Sequence, residues 1–317
     1  MSKISIVTPC YNEKGNIKAL IDRIREIMSG LDYDYEHLII DNCSTDESWE
    51  IICECSKADP HIKGIHNVRN FGPLRSLSYG LFQADGDAVI SVAGDFQDPP
   101  ELIKDFVSEW EKGYKVVLGQ KNKSDEGLIM RACRSLYYFI INKLSDIQQF
   151  KQTTGFGLYD RSVIEVLKQI NEPEPSIRHI IAELGYKVSF VKYSQPKRKS
   201  GKSSFNFGSY ADYAFNTMIN TSIVPLKLAV ILGLITSFIS FGIGIAYLVW
   251  KLINWNYFDT GQAPILIGIF FIGGVLLMFV GVIGEYVGEI LKRIKVRPLV
   301  IEEDRVGFAE ANNDSVK

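Results

Sequence analysis

Four short stretches of this chain carry side chains suited to binding or chemistry. They are VTPCYNE (7–13), IIDNCSTDES (39–48), RNFG (69–72) and SVAGDFQDPPE (91–101). The last places Asp95, Gln97 and Asp98 within four residues and stops at two prolines. Carboxylate and amide oxygens gathered in this way suit a hard cation. The same letters also read as a capped turn before a helix at Glu101. Neither G-x-G-x-x-G nor the full G-x-x-x-x-G-K-[ST] P-loop occurs in the chain, so a bound diphosphate would need a metal ion for neutralisation. The five cysteines (Cys10, Cys43, Cys53, Cys55, Cys133) are odd in number and lack CxxC spacing or a histidine partner. They indicate neither a disulfide framework nor a zinc site, and they fit a reducing compartment.

Those stretches need elements to position them. Ile4–Thr8, His37–Asp41, Ile62–His66, Ala88–Val92 and Lys115–Gly119 read as short apolar strands. Helical spacing fills the intervals, at Asn16–Met28, Glu47–Cys55, Leu74–Gln83 and Glu101–Lys112. A repeated strand–helix pattern predicts an α/β fold with a mainly parallel, Rossmann-like sheet flanked by helices. In such sheets ligands bind beyond the carboxyl ends of the strands. All four stretches follow a strand, so the pattern brings them to one edge. Each alone is an ordinary turn or helix start; their convergence is the informative part.

Net charge is near zero, with 35 basic against 37 acidic residues, so overall charge gives no support to a nucleic-acid partner. The N-terminus turns polar too soon for a signal peptide. After Lys227, two runs, 228–250 and 260–284, carry no charge, and each exceeds the roughly 20 residues that cross a bilayer. They predict two transmembrane helices. The aromatic loop Asn254–Phe258 suits a headgroup interface, and Lys292, Arg293, Lys295 and Arg297 predict a cytoplasmic C-terminus. Two spans then place the N-terminal domain in the cytoplasm as well, on an inner (plasma) membrane protein of multi-pass topology. The segment 205–221 has apolar residues at helical spacing, for a helix lying flat in the interface or packed on the domain. Gly284 and Gly288 form a GxxxG at the helix end, a hint of helix association and a homo-oligomer. The expected organisation is a cytoplasmic domain (1–204), an interfacial amphipathic helix (205–223), a two-helix anchor (224–292) and a polar cytoplasmic tail (293–317).

In that order and spacing, the four stretches resemble the family 2 glycosyltransferases of GT-A fold. RKSGKSS (198–204) and two C-terminal spans narrow the resemblance to the polyprenyl-phosphate type, similar to bactoprenol glucosyltransferases and dolichyl-phosphate mannose synthases. The match extends over roughly residues 3–290. The resemblance implies a membrane-anchored inverting enzyme. It would move a sugar from a nucleotide-sugar, UDP-linked in preference to GDP-linked, to polyprenyl phosphate (undecaprenyl or dolichyl phosphate) for cell-envelope glycan. It also implies that Pro9, Tyr11, Glu13 and Asp41 hold the base and ribose, with Asp95 also on the donor. Asp95 and Gln97 would bind Mg²⁺ or Mn²⁺, and Arg131, Arg134, Arg198 and Ser203 would face donor or acceptor phosphates. Asp95 and Arg198 would be the catalytic pair. Arg131 and Arg134 read equally as solvated helix charges. Arg198 also reads as part of a juxtamembrane basic patch for anionic lipid.

Two positions depart from the family pattern. The acidic motif D-x-D-x-Q-D has Ala93 in place of its first aspartate. Within TTGFGLYD (153–160), Gly155 replaces the aspartate often assigned as a base, and Gly157 replaces an arginine. Loss of a base is serious for a sugar hydroxyl acceptor, where general-base help contributes about 10²–10⁴-fold. A phosphate monoester, with a second pKa of about 6, is already mostly dianionic at neutral pH. The gap agrees with a phosphate acceptor. With Ala93 it is also the support for the alternative of a noncatalytic nucleotide-sugar-binding membrane protein, against which Asp95, Gln97 and Arg198 stand; a glycosyltransferase with another lipid or a glycan acceptor is the other alternative. The chain lacks a Q-x-x-R-W motif, which argues against a polymer synthase, and an uncharged pair of spans fits a transport channel poorly.

Overall fold

The structure is a computed structural model that describes residues 2–122, 150, 152–170, 172, 175–194, 224–253, 262–295 and 297–308. The chain divides into two compact units, the first comprising residues 1–131, 147–203 and 296–317 and the second residues 132–146 and 204–295.

The first unit is an α/β domain on an eight-stranded sheet ordered β7-β5-β6-β4-β1-β2-β3-β8. The strands are β1 (Lys3–Cys10), β2 (Asp34–Asp41), β3 (Ile62–Asn67), β4 (Ala88–Ser91), β5 (Val116–Lys121), β6 (Thr153–Asp160), β7 (Val188–Tyr193) and β8 (Glu302–Val306). The helices are α1 (Ile17–Met28), α2 (Ser48–Ala58), α3 (Pro73–Gln83), α4 (Ile103–Glu111), α5 (Arg161–Gln169) and α6 (Ile177–Leu184). The strand and helix expectations through residue 121 all correspond to observed elements.

The core follows from the period of each element. Ile4 and Ile6 of β1 and Ile90 of β4 pack with Leu20 and Ile24 of α1 and Phe106 of α4 on one face. Ile39 extends that face with Ile17 and Ile21 of α1 and Ile52 of α2. The alternate residues Val7, Leu38, Ile40 and Val89 face the other way, against Leu81 of α3, Val163 of α5 and Ile181 of α6. Alternation of this kind covers both faces of a sheet with helices.

The sheet is more mixed than expected. β4, β1, β2 and β3 are parallel, as are β5 and β7. β6 runs antiparallel between β4 and β5, and β8 antiparallel to β3. The segment 293–317, expected as a polar tail, contains the charged strand β8. Residues 302–306 complete the sheet edge, and Tyr79 Oη donates to Glu302 Oε1 at 2.6 Å. A charged sequence such as EEDRV suits an edge strand, because its outward charges discourage further pairing.

The second unit contains α7 (Val224–Ile253) and α8 (Gln262–Ile294). Within α8, Phe271–Gly288 is long and apolar enough to cross a membrane, and its side chains are unburied. Among the described residues this is the one stretch that meets that description, so the expectation of two spans is met in part. Gly233 of α7 lies against Phe279 of α8, where an added Cβ would come within 3.3 Å of the ring. The interfacial helix expected over 205–223 lies outside the described residues.

Candidate active site

The parallel strands β1, β2, β3 and β4 deliver their carboxyl ends to one edge of the sheet, in register. Cys10 pairs with Asp41 and Asp41 with His66, while Val7 pairs with Ser91. The loops leaving these ends contain three non-glycine residues in the left-handed region: Asn12 (φ 56°), Cys43 (φ 61°) and Phe96 (φ 61°). Such conformations cost roughly 1–3 kcal/mol each and collect where function requires a set backbone.

Hydrogen bonds stitch the β1 and β2 loops together. The Asn12, Glu13 and Lys14 amides donate to Ser44 Oγ (2.9 Å), Ser48 Oγ (2.9 Å) and Asp46 Oδ2 (3.2 Å). In return the Thr45 amide donates to Asn12 Oδ1 at 2.7 Å. Tyr11 stands out from this lattice, 45% exposed. Glu13 Oε2 accepts from Asn16 Nδ2 at 2.6 Å. Burial, with Asp41 and Glu13 nearby, pushes the Cys10 thiol up, which removes thiolate chemistry from the site.

Asp41 is fully buried. Its Oδ1 accepts from Ser44 Oγ (2.5 Å), and its Oδ2 from the Ser44 amide (3.1 Å) and His66 Nδ1 (2.7 Å). It thus anchors the β2 loop from within.

The β4 loop meets the β1 loop at Gly94, where an added Cβ would lie 3.4 Å from the Pro9 carbonyl oxygen and 3.6 Å from Glu13 Cγ. Asp95 and Asp98 are both 8% exposed. Asp95 Oδ1 accepts from the Gln97 amide at 3.1 Å, which closes a tight turn. Asp98 is turned inward and accepts from Tyr193 Oη at 3.2 Å and from the Ala93 amide. Burial raises its carboxyl to about 6, against the pull of Lys121 and those donors. Asp95 therefore closes the turn and Asp98 is buried against Tyr193 and the Ala93 amide, which fits the reading of this stretch as a turn before a helix.

Among the described residues no three His, Cys, Asp or Glu side chains converge as a metal cage. Mg²⁺ needs none, since it is usually held by one or two carboxylates together with substrate phosphates. Asp95, with the Gln97 amide oxygen two residues on, fits an ion shared with a diphosphate.

The two departures from the family pattern have physical counterparts. Gly155 takes φ +96°, and its carbonyl accepts from Tyr159 Oη at 2.7 Å. At Gly157 an added Cβ would sit 2.3 Å from the Val117 carbonyl oxygen, so no side chain fits between β5 and β6. Asp160 accepts from the Ser162 amide (3.0 Å) and Trp110 Nε1 (2.9 Å) and caps α5. Arg131, Arg134, Arg198 and Ser203 lie outside the described residues. Sequence reasoning missed His66, Tyr193 and the asparagine network behind RNFG. In that network Asn42 Oδ1 accepts from the Phe71 amide (2.9 Å) and Asn67 Nδ2 (3.2 Å), and Asn42 Nδ2 donates to Asn70 Oδ1 (2.8 Å). The only available signal was that His66 and Asn67 end a strand on the same edge.

In an open α/β sheet of this kind the ligand site lies beyond the carboxyl ends of the parallel strands, where the oxygen-rich loops gather. The family description "Glycosyl transferase family 2" matches residues 5–167, and the chain belongs to that family and is a glycosyltransferase. An uncharacterized glycosyltransferase of Synechocystis sp. is 32% identical over 307 residues, covering 96% of each chain. The bactoprenol glucosyl transferase of Shigella phage SfV is 32% identical over 303 residues, 94% of this chain and 97% of that one. Among solved structures, glucosyl-3-phosphoglycerate synthase from Mycobacterium tuberculosis with Mn²⁺ and UDP aligns with a TM-score of 0.49 at 17% identity. That alignment covers 70% of this chain and 80% of the other.

Proposed function

We propose that this glycosyltransferase is membrane-anchored and inverting, and that it moves a sugar from a UDP-linked donor to polyprenyl phosphate at a cytoplasmic membrane face. The observation that carries this reading is the near-full-length similarity to bactoprenol glucosyl transferases, whose names state the acceptor. That similarity includes the apolar α7 and α8, which serve in this reading as two spans.

In the proposed mechanism Pro9, Tyr11 and Glu13 hold the base and ribose. Asp41, with both oxygens already engaged, supports the donor through the loop it anchors. Asp95 and Gln97 would hold Mg²⁺ or Mn²⁺, which would offset charge on the leaving nucleoside diphosphate. An oxygen of the lipid phosphate attacks the anomeric carbon as the bond to the donor's diphosphate breaks, so configuration inverts. The nucleophile is already ionised, and the absence of a carboxylate at Gly155 is no obstacle. Arg198 and Ser203, with Arg131 and Arg134, would draw the two phosphates into line, because guanidinium forks match phosphate oxygens.

The test is nucleoside diphosphate release by detergent-purified protein given Mg²⁺ or Mn²⁺ and a panel of UDP- and GDP-sugars, with and without undecaprenyl phosphate. Lipid-dependent release from one donor is expected. Nucleotide binding without release from any donor would instead favour a noncatalytic binder, for which Ala93 and Gly155 would be the cause.

A further inference from the structure

His66 is held from three directions by three separate elements. From β2, Asp41 Oδ2 accepts its Nδ1–H at 2.7 Å. From α2, the Trp49 ring lies 4.9 Å away, centroid to centroid. From β8, Glu303 Oε2 lies 3.5 Å from Nε2. The third contact depends on an irregularity in the strand pairing. His66 pairs with Asp304 but Asn67 pairs with Glu302, so Glu303 is an extra residue on the β8 side. A bulge of this kind re-aims a side chain that regular alternation would have sent elsewhere. Beyond Asp41 the chain of contacts continues to Ser44, which accepts the Asn12 amide beside Tyr11 and Glu13. A continuous set of hydrogen bonds thus runs from one imidazole to both loops assigned above to the donor, with the Glu303 carboxylate of the C-terminal strand beside the ring.

We propose that His66 is a positioning residue of the donor subsite, and that β8 supports it through Glu303. The ring fixes the buried Asp41 carboxylate, that carboxylate fixes Ser44, and Ser44 fixes the backbone that presents Tyr11 and Glu13 to the nucleotide. The proposal rests on the donor assignment of the preceding section. Its site is made in part by a strand that follows the apolar helices in sequence.

The test uses the full-length protein in detergent and three variants, His66→Ala, His66→Asn and Glu303→Gln. Two quantities are measured: UDP affinity by calorimetry, and amide hydrogen exchange of residues 11–14 and 42–46 without ligand. His66→Ala is expected to weaken UDP binding at least about tenfold, the effect of losing a hydrogen bond to a charged group. It is also expected to speed exchange in both loops. His66→Asn, which can still donate near the Nδ1 position, should recover most of the loss. Glu303→Gln, at an exposed site, should give a change of about threefold or less. In turnover assays the donor KM should rise while kcat holds. Unchanged loop exchange in a folded His66→Ala protein would overturn the proposal. So would a fall in kcat at constant KM, or no recovery in His66→Asn. If the wild-type protein binds no UDP, the donor assignment fails on its own, and the exchange measurement still decides whether His66 orders the two loops.

Discussion

Asp95 is the carboxylate that closes the turn in the β4 loop. If it holds the ion against the diphosphate, Asp95→Ala should lower sugar transfer by about 10²–10³-fold, the usual effect of removing one electrostatic stabiliser. Release assays at saturating donor would read the loss, and retention of full activity would remove Asp95 from the site. Gly157 makes a different prediction. Its missing Cβ leaves room for the Val117 carbonyl, so Gly157→Ala should destabilise the domain by about 1–3 kcal/mol through overpacking. A lowered thermal midpoint would report it. An arginine at this position, as in the family pattern, would require β5 and β6 to separate.

At the scale of elements, the amino ends of β1, β2 and β3 are joined by one buried carboxylate. Glu36 accepts from Ser5 Oγ (2.6 Å), Lys3 Nζ (2.9 Å), Lys63 Nζ (2.7 Å) and the Asp85 amide (2.8 Å). Burial alone would raise its pKa, but these donors outweigh burial and hold it at about 2. A depressed carboxylate stabilises the fold above its unfolded pKa of 4.5, and the stabilisation is lost as pH falls from there toward 2. The loss is on the order of 3 kcal/mol. Glu36→Gln should flatten the dependence of unfolding free energy on pH across that window, measured by denaturant titration. A variant as acid-sensitive as the wild type would show that other groups dominate.

The elements also show which parts of the fold were legible. β1 to β5 announce themselves through apolar runs, and the helices between them through spacing. β6 does not, because Gly155 and Gly157 interrupt its pattern, and glycine weakens a strand reading. β8 carries no apolar run at all, since an edge strand is protected by charge. The site was legible in the same proportion. Pro9, Tyr11, Glu13 and Asp95 sit in recognisable motifs. His66 acquires its role only through a register that sets it beside Asp41, 25 residues away in the chain.

At the scale of the whole molecule, the charge-free run Phe271–Gly284 sets the clearest expectation if α8 spans the membrane as proposed. Leu277 lies in this stretch with its side chain exposed. Leu277→Arg should cost about 2.5–3.5 kcal/mol of insertion free energy. The measurable outcome is a larger fraction of the chain extracted from membranes by alkaline carbonate. Equal retention of variant and wild type would argue that α8 is held by something other than the lipid core.

The pairing of Gly64 with Val306 also sets a timetable for synthesis. β3 leaves the ribosome early, yet the strand that covers its free edge emerges only after α7 and α8 have been made. At about 5–20 residues per second that interval is roughly 10–50 s. Throughout it the nascent domain presents an open β edge, a template for pairing with the wrong chain. Completion of the sheet therefore follows synthesis of both long apolar helices, and a chain stalled before that point would be a substrate for chaperones or proteases.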